Sequence, residues 1–167
     1  MTRQTHTTIY AIVDAETEAD ALCAARAAFD RLTGMTPGRK RVFEYCLTLD
    51  ELHRDHPMCD DGLPRAARVD EEPGRSLLGT AWATTVKQTD DEVKRVRAVF
   101  ESHDARAIRR DEGQTRQALA RLGTPESPTT TLYDANGLGL VRRERVIDVV
   151  TGCATPWIVP ADAHHHP

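Results

Sequence analysis

The sequence predicts an α+β protein, a ferredoxin-like β-α-β…β-α-β sheet with a helical insertion between its second and third strands. Three observations predict it. A β-branched strand and an amphipathic helix open the chain, a strand–turn–helix–strand series closes it, and helical spacing dominates the middle. Two β-α-β halves of this kind combine into one small sheet with helices on one face. Residues 1–167 read as a single domain, with 7–49 and 129–160 as the sheet halves and 50–123 as the insertion.

The first strand is Thr7-Thr8-Ile9-Tyr10-Ala11-Ile12-Val13, β-branched and apolar enough to be buried. Thr17 follows as a helix cap, its hydroxyl placed to accept from first-turn amides, and Glu18 and Asp20 suit the positive end of the helix dipole. Leu22, Ala25, Phe29 and Leu32 then share one helical face, and Gly34 ends the helix. In the second strand, Val42 to Leu49, alternation puts Phe43, Tyr45, Leu47 and Leu49 on one face and Glu44, Cys46 and Thr48 on the other.

The middle has a different texture. Asp50 to His56 reads as a short helix ended by Pro57, and 59–76 as a loop rich in Asp, Glu, Gly and Pro. From Ser76 to Leu122 the spacing is helical. Leu77, Leu78, Ala81 and Trp82 cluster, Val93, Val96 and Phe100 recur, and a last helix holds Ile108, Ala118, Leu119 and Leu122. Trp82 would seal this block to the sheet. Thr129 to Tyr133 is the third strand, and Asp134-Ala135-Asn136-Gly137 is a turn. A helix from Val141 to Val150 turns Val146, Ile147 and Val150 inward, and Trp157-Ile158-Val159 is a short last strand bounded by Pro156 and Pro160.

The composition excludes several classes. With 167 residues, 40% hydrophobic and 29% charged, the chain can bury a core and is not a disordered one. No window approaches the roughly 18 apolar residues that cross a bilayer, and the N-terminus carries no signal-peptide core. A cytoplasmic protein is expected. Cys23, Cys46, Cys59 and Cys153 are too few and too irregular for a disulfide framework. Only three of the 22 basic residues are lysine (Lys40, Lys87, Lys94), the bias of a GC-rich genome or of salt adaptation.

The phrase Trp157-Ile158-Val159-Pro160-Ala161-Asp162-Ala163-His164 resembles the ending of small uncharacterised proteins from halophilic archaea and their viruses and plasmids. Leu132-Tyr133-Asp134 with Gly137 looks like the same family's lead-in, and Tyr10 to Ala28 is similar. The resemblance covers the two ends and not the helical middle. It implies an accessory protein of a halophile or a mobile element, and it carries no activity or site residues across.

Two constellations point to chemistry. Cys46, His53, His56 and Cys59 are thiolate and imidazole ligands of the kind zinc takes, four of which close a tetrahedral structural site. The more ordinary reading of the same residues is a small buried Cys46 and two histidines on a solvated helix. The spacing matches no standard zinc signature. His164-His165-His166 reads as an exposed, weakly metal-binding tail, although His164 would share a side with Asp162 if the last strand ran on.

Charge is also uneven. Residues 44–72 hold nine acidic residues and three arginines, whereas 94–121 hold eight basic residues and four acidic ones. Arg95, Arg106, Arg109, Arg110, Arg116 and Arg121 could form a phosphate-binding stripe, with Arg142, Arg143 and Arg145 as a second patch. A solvated helix with internal ion pairs, such as Arg97 with Glu101, is the more ordinary explanation of the stripe. No serine lies in a nucleophile elbow, and Gly137-Leu138-Gly139 is only part of a phosphate loop.

Three functions therefore stand open. The first is a non-enzymatic binding or interaction module, with a protein partner or a second copy of itself. The second is a zinc-stabilised domain, and the third is nucleic-acid binding through the arginine-rich helices.

Overall fold

The computed structural model describes residues 5–34, 41–102 and 130–165. Its elements are β1 (Thr5–Asp14), α1 (Glu18–Leu32), β2 (Tyr45–Thr48), α2 (Pro57–Asp60), β3 (Ala67–Arg68), α3 (Gly74–Ser102), β4 (Leu132–Asp134), α4 (Arg143–Gly152) and β5 (Pro156–His165). The predicted helix around Ala118 to Leu122 lies outside the described residues.

β1 and β5 form the spine. They pair antiparallel over all ten residues, from Thr5 opposite His165 to Asp14 opposite Pro156. The sheet order is β2-β5-β1-β4, with β3 joining the same edge of β5 as β2. The first half is as expected. β1 and β2 both run antiparallel to β5, so they are parallel to each other, joined by α1 and separated by β5. The second half is not a β-α-β unit. β4 is parallel to β1 while β5 is antiparallel to it, so the strands flanking α4 run in opposite directions. The α+β class holds, but the strand order departs from two equivalent halves.

Pro160 was expected to end the last strand, yet β5 runs through it. Proline cannot donate a ladder hydrogen bond. In an antiparallel strand the backbone groups of alternate residues face alternate neighbours. The Pro156 and His164 carbonyls accept from Val69 and Glu44, on the β3 and β2 side. Pro160 shares their parity, so its missing donor faces the interval between β3, which begins opposite Ile158, and β2, which ends opposite Ala161. No bond to β1 is lost.

Helices cover both faces of the sheet, not one. Ile9, Ala11, Val13, Val159, Ala161 and Ala163 point to α1, where Ala21, Leu22, Ala25, Ala28, Phe29 and Leu32 meet them. Tyr10, Ile12, Leu132 and Ile158 point the other way, onto Leu77 and Ala81 of α3 and Val146 of α4. The start of the predicted insertion is thus part of the core. Ile147, expected inward, is exposed.

Local chemistry sets the ends. The Thr17 hydroxyl accepts from the Asp20 amide at 3.2 Å, and Gly34 holds a positive φ of 76° after α1. Trp157 packs on the α1 side, and its indole N–H donates to the Ala15 carbonyl at 2.8 Å. Asp134 accepts from the Asn136 and Leu138 amides, which forms the predicted turn. Gly74 opens α3 against β3, where a Cβ would stand 1.9 Å from the Arg68 carbonyl oxygen.

Candidate metal centre

Away from α3 and α4, the second face of the sheet changes character. His6 of β1 lies opposite His164 of β5, and His164 lies opposite Tyr45 of β2. In the next row Thr8, Asp162 and Leu47 stand side by side. Directly paired residues project from the same face. One strip of sheet therefore presents two histidines and a carboxylate where apolar side chains would be cheaper to bury.

The segment after β2 supplies the third histidine. Thr48 is fully buried and anchors the turn: its amide donates to Glu51 at 2.8 Å and its hydroxyl contacts Asp50 and Glu51 at 2.8 and 2.7 Å. Arg26 of α1 pairs with Asp50. Burial works to raise the Asp50 carboxyl, but the bonds from Thr48 and Arg26 outweigh it and hold the group below the usual carboxylate range. The chain then turns back over the sheet. Pro57 does not end a helix here; it begins α2 at the first helical position, where its fixed φ fits and no amide is needed. His56 is the cap, its Nδ1 accepting from the Met58 amide at 3.3 Å.

These elements bring His6, His56 and Asp162 together. One ligand-type atom from each lies within 4.8 Å of the others. His6 Nδ1 is 2.9 Å and His56 Nε2 3.5 Å from the same Asp162 oxygen, Oδ2. Asp162 is 2% exposed, so its carboxylate needs a positive or donating partner. A pocket of about 340 Å³ opens beside the three residues, floored by Thr8 and bordered by Met58 and Asp61. The negative charge is felt nearby: burial, with Asp162 and Glu44 adding to it, pushes the Tyr45 hydroxyl up from its ordinary value.

His164 sits at the edge of the cluster. It is 4% exposed rather than part of an exposed tail, its Nδ1 is 2.7 Å from Glu44 Oε2, and its ring stacks on Tyr45 at 5.1 Å. Its Nε2 is buried with no hydrogen-bond partner among the described residues.

Of the four ligands expected from sequence, the structure brings only His56 to this cluster. Cys46 points from β2 to the opposite face, against the α1 core, where burial first and the carboxylates of Asp162 and Asp30 second push its thiol up to about 12. His53 is exposed, and its carbonyl accepts from the Cys59 thiol at 3.5 Å. Sequence reasoning passed over His6 and gave Asp162 no role. A signal existed in the period-two spacing of Asp162 and His164, but it required β5 to continue past Pro160. Arg95 of the arginine stripe is paired with Glu92 at 2.9 Å. Arg106, Arg109, Arg110, Arg116 and Arg121 lie outside the described residues.

Comparison with known proteins adds a family. A family model described as "Domain of unknown function (DUF7995)" matches residues 5–165. No curated protein and no solved structure matches the chain. Among the described residues, no helix is long and apolar enough to cross a membrane.

Proposed function

The chain belongs to the family of the domain of unknown function DUF7995, and from that premise we propose that it is a binding module stabilised by a divalent transition-metal ion at His6, His56 and Asp162. One observation carries this reading. Two imidazoles and a buried carboxylate, from three separate chain segments, bring ligand-type atoms within 4.8 Å of one another. Two imidazoles and a carboxylate suit zinc and its first-row neighbours, and an ion among them would compensate the Asp162 charge. The ion would tie the N-terminal strand and the β2–β3 connection to the central strand β5. This ligand set differs from the cysteine–histidine set expected from sequence and shares only His56 with it.

Coordination has a cost that the geometry makes explicit. Asp162 dictates that His6 Nδ1 carries its proton, and the Met58 amide dictates that His56 carries its proton on Nε2. Each ring must change tautomer to ligate through the atom now facing Asp162, and His56 then loses its 3.3 Å bond to Met58. Those losses are small beside the binding free energy of a structural zinc site, roughly 10 kcal/mol or more.

The test is thermal unfolding of chelator-treated protein with and without zinc. A ligand that binds only the folded state at 100 times its Kd stabilises by about 2.7 kcal/mol. Zinc should raise the Tm of the wild-type chain and leave that of Asp162→Ala unchanged. An unchanged wild-type Tm refutes the reading.

A further inference from the structure

We propose that His164, held by Glu44, is the fourth protein ligand of this centre and closes it into a structural His₃Asp site; the inference rests on the reading just given. Four observations converge on His164. It projects from the same face of β5 as Asp162, two residues on, and it is the direct cross-strand partner of His6. Its ring centroid is 5.3 Å from that of His6. Its Nδ1 donates to the Glu44 carboxylate at 2.7 Å, so the proton is on Nδ1 and a lone pair is on Nε2. That Nε2 is buried in a residue only 4% exposed and has no hydrogen-bond partner among the described residues.

A buried imidazole nitrogen without a partner is costly to maintain. Its presence here is accounted for if the lone pair is meant for a cation. The carboxylate–histidine pair is the arrangement that commonly orients a metal-bound histidine, fixing its tautomer and raising its basicity. His6 and His56 must change tautomer before they ligate through the atoms facing Asp162, whereas His164 is already in the ligating form. Its Nε2 lies outside the compact set formed by His6, His56 and Asp162, so the ion must draw the ring inward to reach Zn–N distances of about 2.0–2.1 Å.

The fourth ligand decides what kind of centre this is. Three protein ligands leave a coordination position for water, as in catalytic zinc sites, while four close it. With His164 bound, the 340 Å³ pocket flanks a closed ion and the metal supports the fold.

Cobalt and zinc titrations of the full chain test this. Cobalt(II) should give the intense visible bands of a four-coordinate ion in the wild-type protein. His164→Ala should weaken them and lower zinc affinity at least tenfold. Glu44→Gln, which leaves His164 in place, should lower zinc affinity by about 10- to 100-fold, the usual effect of losing an orienting carboxylate. If His164→Ala does not fold, Glu44→Gln carries the decision. Wild-type affinity and an unchanged cobalt spectrum in both variants, or in Glu44→Gln alone where it is the one that folds, would overturn His164 as a ligand and leave the three-residue site standing. Failure of the wild-type chain to bind either ion would remove the site itself.

Discussion

The two faces of the sheet solve burial differently. Toward α1, β1 and β5 present Ile9, Ala11, Val13, Val159, Ala161 and Ala163, and Phe29 and Leu32 close over them with at most 2% exposure. The other face is split. One end, around Ile12 and Ile158, packs under α3 and α4. The other end carries His6, Asp162 and His164 beneath the segment that delivers His56. β5 shows the contrast within one strand, since Val159, Ala161 and Ala163 alternate with Asp162 and His164. The α1 face is where the fold is held, and the histidine end accepts a cost that packing alone does not explain.

The largest effect is expected on the α1 face. Phe29→Ala removes a 1% exposed ring and should lower stability by about 3–5 kcal/mol in chemical denaturation. A loss below 1 kcal/mol would mean that this face is not the main core. Next comes the covered end of the second face. Gly74→Ala forces a methyl against the Arg68 carbonyl, and overpacking of this kind costs about 1–3 kcal/mol. A neutral result would show that α3 is free to move relative to β3.

Thr17→Ala removes the cap of α1 and should cost about 1 kcal/mol by the same denaturation measurement. This loss separates helix initiation from burial on one face. The smallest effect is chemical. Cys46 is half-buried with its thiol pushed up to about 12, and Cys23 is exposed. At pH 8, iodoacetamide followed by peptide mass spectrometry should modify Cys23 well before Cys46. Equal rates would place Cys46 outside the α1 layer.

What the sequence made legible was local. The strand at Ile9 to Val13, the Thr17 cap and the Leu22–Phe29–Leu32 face follow from periodicity and capping within about 25 residues, and each is seen. The turn at Asp134 was equally local. Prolines misled twice. Pro57 starts α2 instead of stopping a helix, because its missing amide matters only beyond the first turn. Pro160 lies inside β5, because its missing donor faces the interval between two short strands. Phe43 illustrates a related failure: it precedes β2, escapes strand alternation and packs on the α1 side.

The candidate site was legible only in part, for a different reason. Its members are 156 residues apart at the extremes, His6 to Asp162; strand register brings these two together, and the turn after β2 delivers His56. The cysteine–histidine set stood out in the sequence because its members were close together. Alternation along β2 then sent Cys46 to the α1 face and left His56 to join partners from the two termini.

The central claim is that His6, His56 and Asp162 hold one metal ion. Its most direct test is zinc content by elemental analysis of full-length protein purified without a metal-affinity column, beside His6→Ala, His56→Ala and Asp162→Ala. The wild-type protein should carry close to one zinc per chain and the three variants almost none. A wild-type chain without metal, or variants that keep it, would show that His6, His56 and Asp162 do not hold an ion.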